Sequence, residues 1–210
     1  MTTRTAARVE KLARRPVEKY NERRAELAEA ALQTLSELGY ARTSLREIAQ
    51  NSAFTHGVLH YYFEDKVDLI LCSVRQYKAR CITRYDSVVA HARSMDELVD
   101  GFLDALARTL CEEAHLHRLW YDIRAQAMFD PALQADVAEI DKGLEDMIWR
   151  IMARLFKLAD KTPTLSASLA YAIMDGLFQQ SLLKHLSGDA HASETLAADT
   201  RAMLSKVVGV

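Results

Sequence analysis

Glycine and proline are scarce, seven and three residues in a chain of 210. So few turn formers exclude a many-stranded sandwich or barrel. The three cysteines, Cys72, Cys81 and Cys111, make no Cys-x-x-Cys pair and no even set. That excludes a disulfide scaffold or a zinc ribbon and fits reduced, buried thiols in a cytoplasmic protein. No apolar run reaches the roughly 18 residues that a membrane-spanning helix needs. The charged N-terminus lacks the apolar stretch of a secretion signal. Gly-rich phosphate loops, zinc motifs and any ordered nucleophile–base set are missing, so catalysis, a metal and a cofactor are not expected. A strong charge of one sign is missing too, since the formal net charge is only −2.

What is present is an ordinary globular composition, 50% hydrophobic and 27% charged. A chain this long buries about 70% of its unfolded surface and needs no staples. The charge is unevenly spread. Residues 1–24 hold eight basic and three acidic side chains, a net +5, which leaves −7 for the rest. A basic end on an acidic body suits a face for a polyanion; a solvated tail has the same composition.

Apolar residues recur at helical spacing almost throughout, and no stretch alternates as a strand would. Leu27, Ala31, Leu35 and Leu38 form one stripe, which Gly39 stops. Ser44-Leu45-Arg46-Glu47 and Ser94-Met95-Asp96-Glu97 are capping boxes. Asp65 caps a long helix expected to run to about Ala92. Asp130-Pro131 and Thr162-Pro163 each place a cap before a proline at the first helical position. The result is an all-α chain of nine helices, ten if the basic N-terminus is helical. The expected parts are a basic arm (1–19), a unit of short, unequal helices (20–66) and a helical bundle (67–210).

Two short helices joined by a tight turn, near Leu45 and near Thr55–Tyr61, suggest a helix-turn-helix. The second would lie in the DNA major groove. Gly57 permits close backbone approach, and His56, His60 and Tyr61 can donate to base edges or phosphates. Phe54, Leu59 and Phe63 anchor the helix. His56 and His60 stand at i, i+4, but no thiol or carboxylate beside them completes a metal site.

Residues 27–71 resemble the DNA-binding domain of TetR-family transcriptional regulators, on Ala30-Ala31, Gly39-Tyr40, Thr43 through Ala49, Gly57, Leu59, Tyr62-Phe63, Lys66 and Leu69. The resemblance implies that Thr43, Ser44 and Arg46 touch phosphates. It implies that Thr55, His56, Val58, His60 and Tyr61 face the groove, and that Tyr62 and Lys66 grip the backbone. Ala53 departs from the family's usual Gly. At a position that often takes positive φ this costs about 1 kcal/mol. His60 stands where Tyr is usual, which bears on base preference.

The rest of the chain concentrates Met and aromatic residues, suited to an adaptable apolar cavity and equally to a plain core. The candidate cavity residues are Phe102, Leu106, Trp120, Tyr121, Arg124, Met128, Met147, Met152, Met174 and Phe178. From Leu119-Trp120 to Asp175-Gly176-Leu177 the sequence resembles, more loosely, the ligand-binding half of the betaine-pathway repressor subgroup. Trp120, Tyr121 and Trp149 could cage a cation there. The resemblance further implies a homodimer whose interface includes Asp175, Leu177, Phe178, Ser181, Leu182, Leu196 and Met203. His115-x-His117 has the wrong spacing for one helix face, so no metal is expected there either. The whole implies a one-component regulator, a repressor by family habit, that binds double-stranded operator DNA and answers to a small, mostly apolar effector. A constitutive architectural DNA binder, or an activator of the same family, stands as the alternative.

Overall fold

The computed structural model describes the backbone of residues 3–209 and the side chains of residues 17–209. Ten helices and no strand occur among the described residues: α1 (Thr3–Arg42), α2 (Leu45–Gln50), α3 (His56–Tyr62), α4 (Lys66–Thr83), α5 (Asp86–His91), α6 (Met95–Glu112), α7 (Ala114–Gln126), α8 (Pro131–Leu158), α9 (Ala167–Leu186) and α10 (Ala192–Val208). The chain divides into two compact units, Met1–Tyr77 and Lys78–Val210, so the division falls within α4, past the expected boundary at residue 66. The side chains of Arg4, Arg8, Arg14 and Arg15, which the basic arm is expected to lay along phosphates or into a minor groove, lie outside the described residues.

In the first unit, Leu27, Ala31 and Leu35 recur on one face of α1 and are fully buried. Buried with them are Leu45 and Ile48 of α2, Leu59 of α3, and Leu69 and Ile70 of α4. Each such leucine or isoleucine contributes about 1.5–3 kcal/mol on leaving water. Gly39 takes φ +76° and breaks the helical run, as its sequence position suggests. The Ser73 hydroxyl on α4 lies 2.8 Å from the Ala28 carbonyl of α1 and ties the two helices.

In the second unit, α9 packs against both α8 and α10, and α10 packs against α6. Leu98, Phe102, Leu103, Leu106 and Leu110 bury one face of α6. Val137, Ile140, Leu144, Ile148, Ile151 and Leu155 do the same for α8. The caps at Ser44, Asp65, Ser94 and Asp130 form as their sequences require.

Two elements differ from expectation. The fourth helix does not reach Ala92; it ends at Thr83, and α5 follows a break at Arg84-Tyr85. No glycine or proline marks the break. It is held from outside by Arg150 of α8, which donates to the Ile82 carbonyl and pairs with Asp86 at the start of α5. Nor does Thr162-Pro163 open the ninth helix. Ser166 caps it, its Oγ accepting from the Leu169 N–H. The linker carrying Pro163 instead docks on the end of α10, where Thr164 donates to the Val207 carbonyl at 3.2 Å.

Candidate DNA-contacting face and internal cavity

The two faces of α3 are sharply divided. Leu59 and Phe63 point into the core, while His56, Gly57, His60 and Tyr61 are exposed, Tyr61 by 72%. Val58 and Tyr62 are half-buried between them. Thr55 starts the helix: its Oγ accepts from the Val58 N–H at 3.3 Å. The His56 and His60 rings sit edge to face, with Nε2 atoms 3.1 Å apart, so one imidazole donates to the other. Tyr20 of α1 donates to the Tyr62 carbonyl and packs its ring 4.9 Å from that of Tyr62. A side chain on α1 thus steadies the end of α3. Sequence spacing alone shows no sign of it.

Around α3 the expected phosphate contacts fare differently. Arg46 is exposed on α2. Ser44 caps α2, accepting from the Glu47 N–H with its hydroxyl 2.9 Å from the Glu47 carboxylate. Lys66 spreads over the Tyr40 ring at 4.6 Å and donates to the Tyr40 carbonyl. Thr43 is corrected: it is buried and its hydroxyl donates to the Gly39 carbonyl at 2.6 Å, so it holds the α1–α2 corner rather than meeting a ligand. Ala53 carries no strain either, because Asp160 is the one non-glycine residue with positive φ among those described.

The second unit holds a partly open cavity of about 70 Å³. Leu106, Trp120, Tyr121, Met147, Met174 and Phe178 line it, as the sequence suggested, together with Leu144, Ile148, Tyr85 and Tyr171. One end is polar in a way the sequence did not announce: Lys78, Cys81, Arg84, Thr109, His117 and Asp175 also form the wall. Lys78 is buried, 4.9 Å over the Trp120 ring, and burial pulls its ammonium down to about 8. Burial, with the charges of Lys78 and Arg84 adding to it, holds the His117 imidazole well below its ordinary range and therefore neutral. The Trp120 Nε1 is buried without a hydrogen-bond partner in the described protein, a donor that a ligand atom could satisfy.

A polar network closes one side of the cavity. Arg124 pairs with Asp175 at 2.5 Å and with Asp141 at 3.1 Å. Tyr121 donates to Asp175, and Tyr171 donates to Asp141 at 2.6 Å. Burial first, and the Asp175 charge second, raise both phenols far above their usual range, so they act only as neutral donors. Beyond this network Arg124 and Met128 line an outer depression instead of the cavity, and Met128 is exposed. Phe102 and Met152 are corrected to plain core: each is 1% exposed and neither reaches the cavity, Phe102 meeting the Tyr85 ring edge to face. Trp149 is not in the cavity wall either, and Cys111 is exposed, not buried.

The expected dimer surface also needs correction. Phe178, Ser181, Leu182 and Leu196 are buried within the chain itself, Phe178 against the His117 ring. Asp175 belongs to the polar network, and Leu177 and Met203 are half-buried. The outward side of α9 is a different stripe, Leu169, Ile173, Gly176, Gln180 and Leu183, at alternating spacings of four and three. Leu169 and Leu183 are exposed, and a Cβ at Gly176 would meet nothing within 4 Å.

Comparison with known proteins agrees with this architecture. Residues 27–71 match the model of the tetR family of bacterial regulatory proteins. Residues 95–208 match that of the C-terminal domain of BetI-type transcriptional repressors. The regulator BetI of Cronobacter sakazakii is 24% identical over 183 residues, covering 83% of this chain and 86% of its own. The regulator TtgR of Pseudomonas putida is 27% identical over 187 residues, covering 82% and 86%. Among solved structures, FadR from Bacillus subtilis, in complex with stearoyl-CoA, superposes with a TM-score of 0.70 at 17% identity, covering 88% of this chain and 97% of its own. GusR of Salmonella enterica gives 0.68 at 19% identity, covering 89% and 95%. The helix-turn-helix with its outward-facing recognition helix and the helical second unit therefore have one common explanation: the chain belongs to the TetR family of transcriptional regulators.

Proposed function

We propose that two copies of the chain bind a palindromic operator in the cytoplasm and repress transcription until a small, mostly apolar effector enters the cavity of the second unit. The observation that carries this reading is the outward face of α3: His56, Gly57, His60 and Tyr61 stand exposed on a helix anchored by Leu59 and Phe63. In this reading that face enters the major groove, with Arg46 and Lys66 against phosphates. The α9 stripe supports the dimer, since Gly176 leaves room for close approach between leucines 169 and 183.

The cavity size bears on the mechanism. At about 70 Å³ it is far smaller than the roughly 300–1,000 Å³ usual for a drug-sized ligand. A larger effector held wholly inside it requires the surrounding helices to part, and such an effector binds the opened conformer better than the closed one. That differential affinity is what shifts a population; moving a pair of states from 1:99 to 99:1 takes about 5.5 kcal/mol of it. The helix α4 belongs to the first unit up to Tyr77 and lends Lys78 and Cys81 to the cavity wall, so it is the carrier of the signal in this mechanism.

A hydroxyl-radical footprint on the DNA upstream of the protein's own gene tests the arrangement. Two symmetric protected patches spaced by about 34–36 Å, or a multiple, are expected. A single asymmetric patch would overturn the dimer-on-palindrome reading.

A further inference from the structure

Three side chains at the polar end of the cavity have no part in the DNA-binding account: Cys81 and His117 line its wall, and Glu113 stands beside them. Cys81 comes from α4, Glu113 from the junction of α6 and α7, and His117 from the first turn of α7. Their ligand atoms all lie within 4.8 Å of one another, with Cys81 and His117 buried and Glu113 half-buried. Glu113 and His117 are four residues apart, so one helical turn presents both to the same side, and Cys81 closes the triangle from another helix. A thiol, an imidazole and a carboxylate suit zinc and its first-row neighbours, whereas calcium and magnesium prefer oxygen ligands. Ligand atoms around a tetrahedral zinc ion stand about 3.3–3.8 Å apart, so side-chain rotations of an ångström or so complete the set.

The space between these groups already holds a cation. Arg84 Nη2 lies 2.7 and 2.6 Å from the two Glu113 oxygens and 3.7 Å from Cys81 Sγ, while its Nη1 donates to Thr109. We infer that Cys81, Glu113 and His117 form a binding site for a divalent transition-metal ion of the zinc type, occupied in the metal-free chain by the Arg84 guanidinium. Charge is conserved in the exchange. The metal brings two positive charges; the Arg84 guanidinium swings out with one; the Cys81 thiol loses its proton to solvent as the metal–sulfur bond forms. Glu113 and neutral His117 supply the other two bonds, and a fourth position opens towards the cavity, for water or an effector donor. Arg84 sits at the break between α4 and α5, so its release removes the tie of that break to Thr109 and Glu113 and leaves the Arg150 contacts to hold it. As regulation this rests on the effector reading of the cavity; as metal binding it does not.

Cobalt(II) added to the full-length, chelator-treated chain is the test. One equivalent per chain should produce a thiolate-to-cobalt charge-transfer band. Cys81→Ser should abolish the band, and Cys111→Ser should leave it intact. His117→Ala should weaken binding about tenfold or more. Arg84→Gln should strengthen it, because the competing cation is gone; a merely misfolded variant cannot show that gain. No band, a band that survives Cys81→Ser, or weaker binding in Arg84→Gln would each overturn the site. Operator binding measured on the same samples keeps the two readings apart, since a failed cobalt titration leaves DNA recognition as it was.

Discussion

Leu59 and Tyr61 are two residues apart on α3, and burial sets opposite fates for their truncation. Leu59 is fully buried, whereas Tyr61 is 72% exposed. Removing a buried leucine side chain costs about 2–5 kcal/mol. In a unit of this size that is a fall in melting temperature of about 10 °C or more. Tyr61 touches the rings of Tyr20, 6.3 Å between centroids, and Tyr62, 5.0 Å. Such pairs contribute about 0.5–1.5 kcal/mol when desolvated, and this one is mostly wet, so Tyr61→Ala should stay within about 0.5 kcal/mol of the parent stability. Removing a hydrogen bond to a base edge, by contrast, costs about 1–3 kcal/mol of operator binding, roughly 5–150-fold. Melting by circular dichroism and operator titration by fluorescence anisotropy, at one fixed salt concentration, read both quantities. The expected pattern is a cold-melting Leu59→Ala and a stable Tyr61→Ala with weakened operator affinity. Tyr61→Ala melting as low as Leu59→Ala, or binding like the parent, would refute the assignment of the outward face.

Other expectations follow from the same geometry. Deleting residues 1–19 should weaken binding to every sequence and flatten the salt dependence by about 0.9 in log–log slope for each phosphate that the basic end neutralises; an unchanged slope makes the basic end a passive tail. Leu183→Glu should yield monomers on sizing chromatography, because it puts a charge on the outward stripe of α9, and an intact dimer would move the interface elsewhere. Lys78 has a folded pKa of about 8 against an ordinary 10.5. Between those values the unfolded chain binds more protons than the folded one, so stability should rise with pH there. Relative to Lys78→Met, the parent should gain stability from pH 8 towards 10.5; parallel curves would show that the ammonium is not desolvated.

The features legible in the sequence were local ones. Caps at Ser44, Ser94 and Asp130 are visible because a cap and its partner lie within three residues. The anchors Leu59 and Phe63 follow from helical spacing, as do the buried stripes of α6 and α8. What escaped was long-range. The break after Thr83 is held by Arg150, far along the chain, and no local signal records it. Lys78 and Arg84 carry no local signal of burial, and the one local feature of His117 is its spacing from His115; their shared cavity wall exists only once distant parts of the chain come together. On α9 apolar and small residues fall on every face, so spacing could not tell the inward Phe178 and Leu182 from the outward Leu169 and Leu183. Phe102 and Met152 have the composition of a ligand pocket and the position of a core.

The central claim is that this chain reads a specific DNA sequence through α3. Titrating the purified protein against the DNA upstream of its own gene, across a range of salt concentrations and with excess random DNA present, tests it most directly. The account requires tight binding that resists the competitor, falls steeply with salt, and keeps a sequence preference at every salt concentration. Binding that random DNA abolishes would contradict it and leave only a non-specific polyanion interaction.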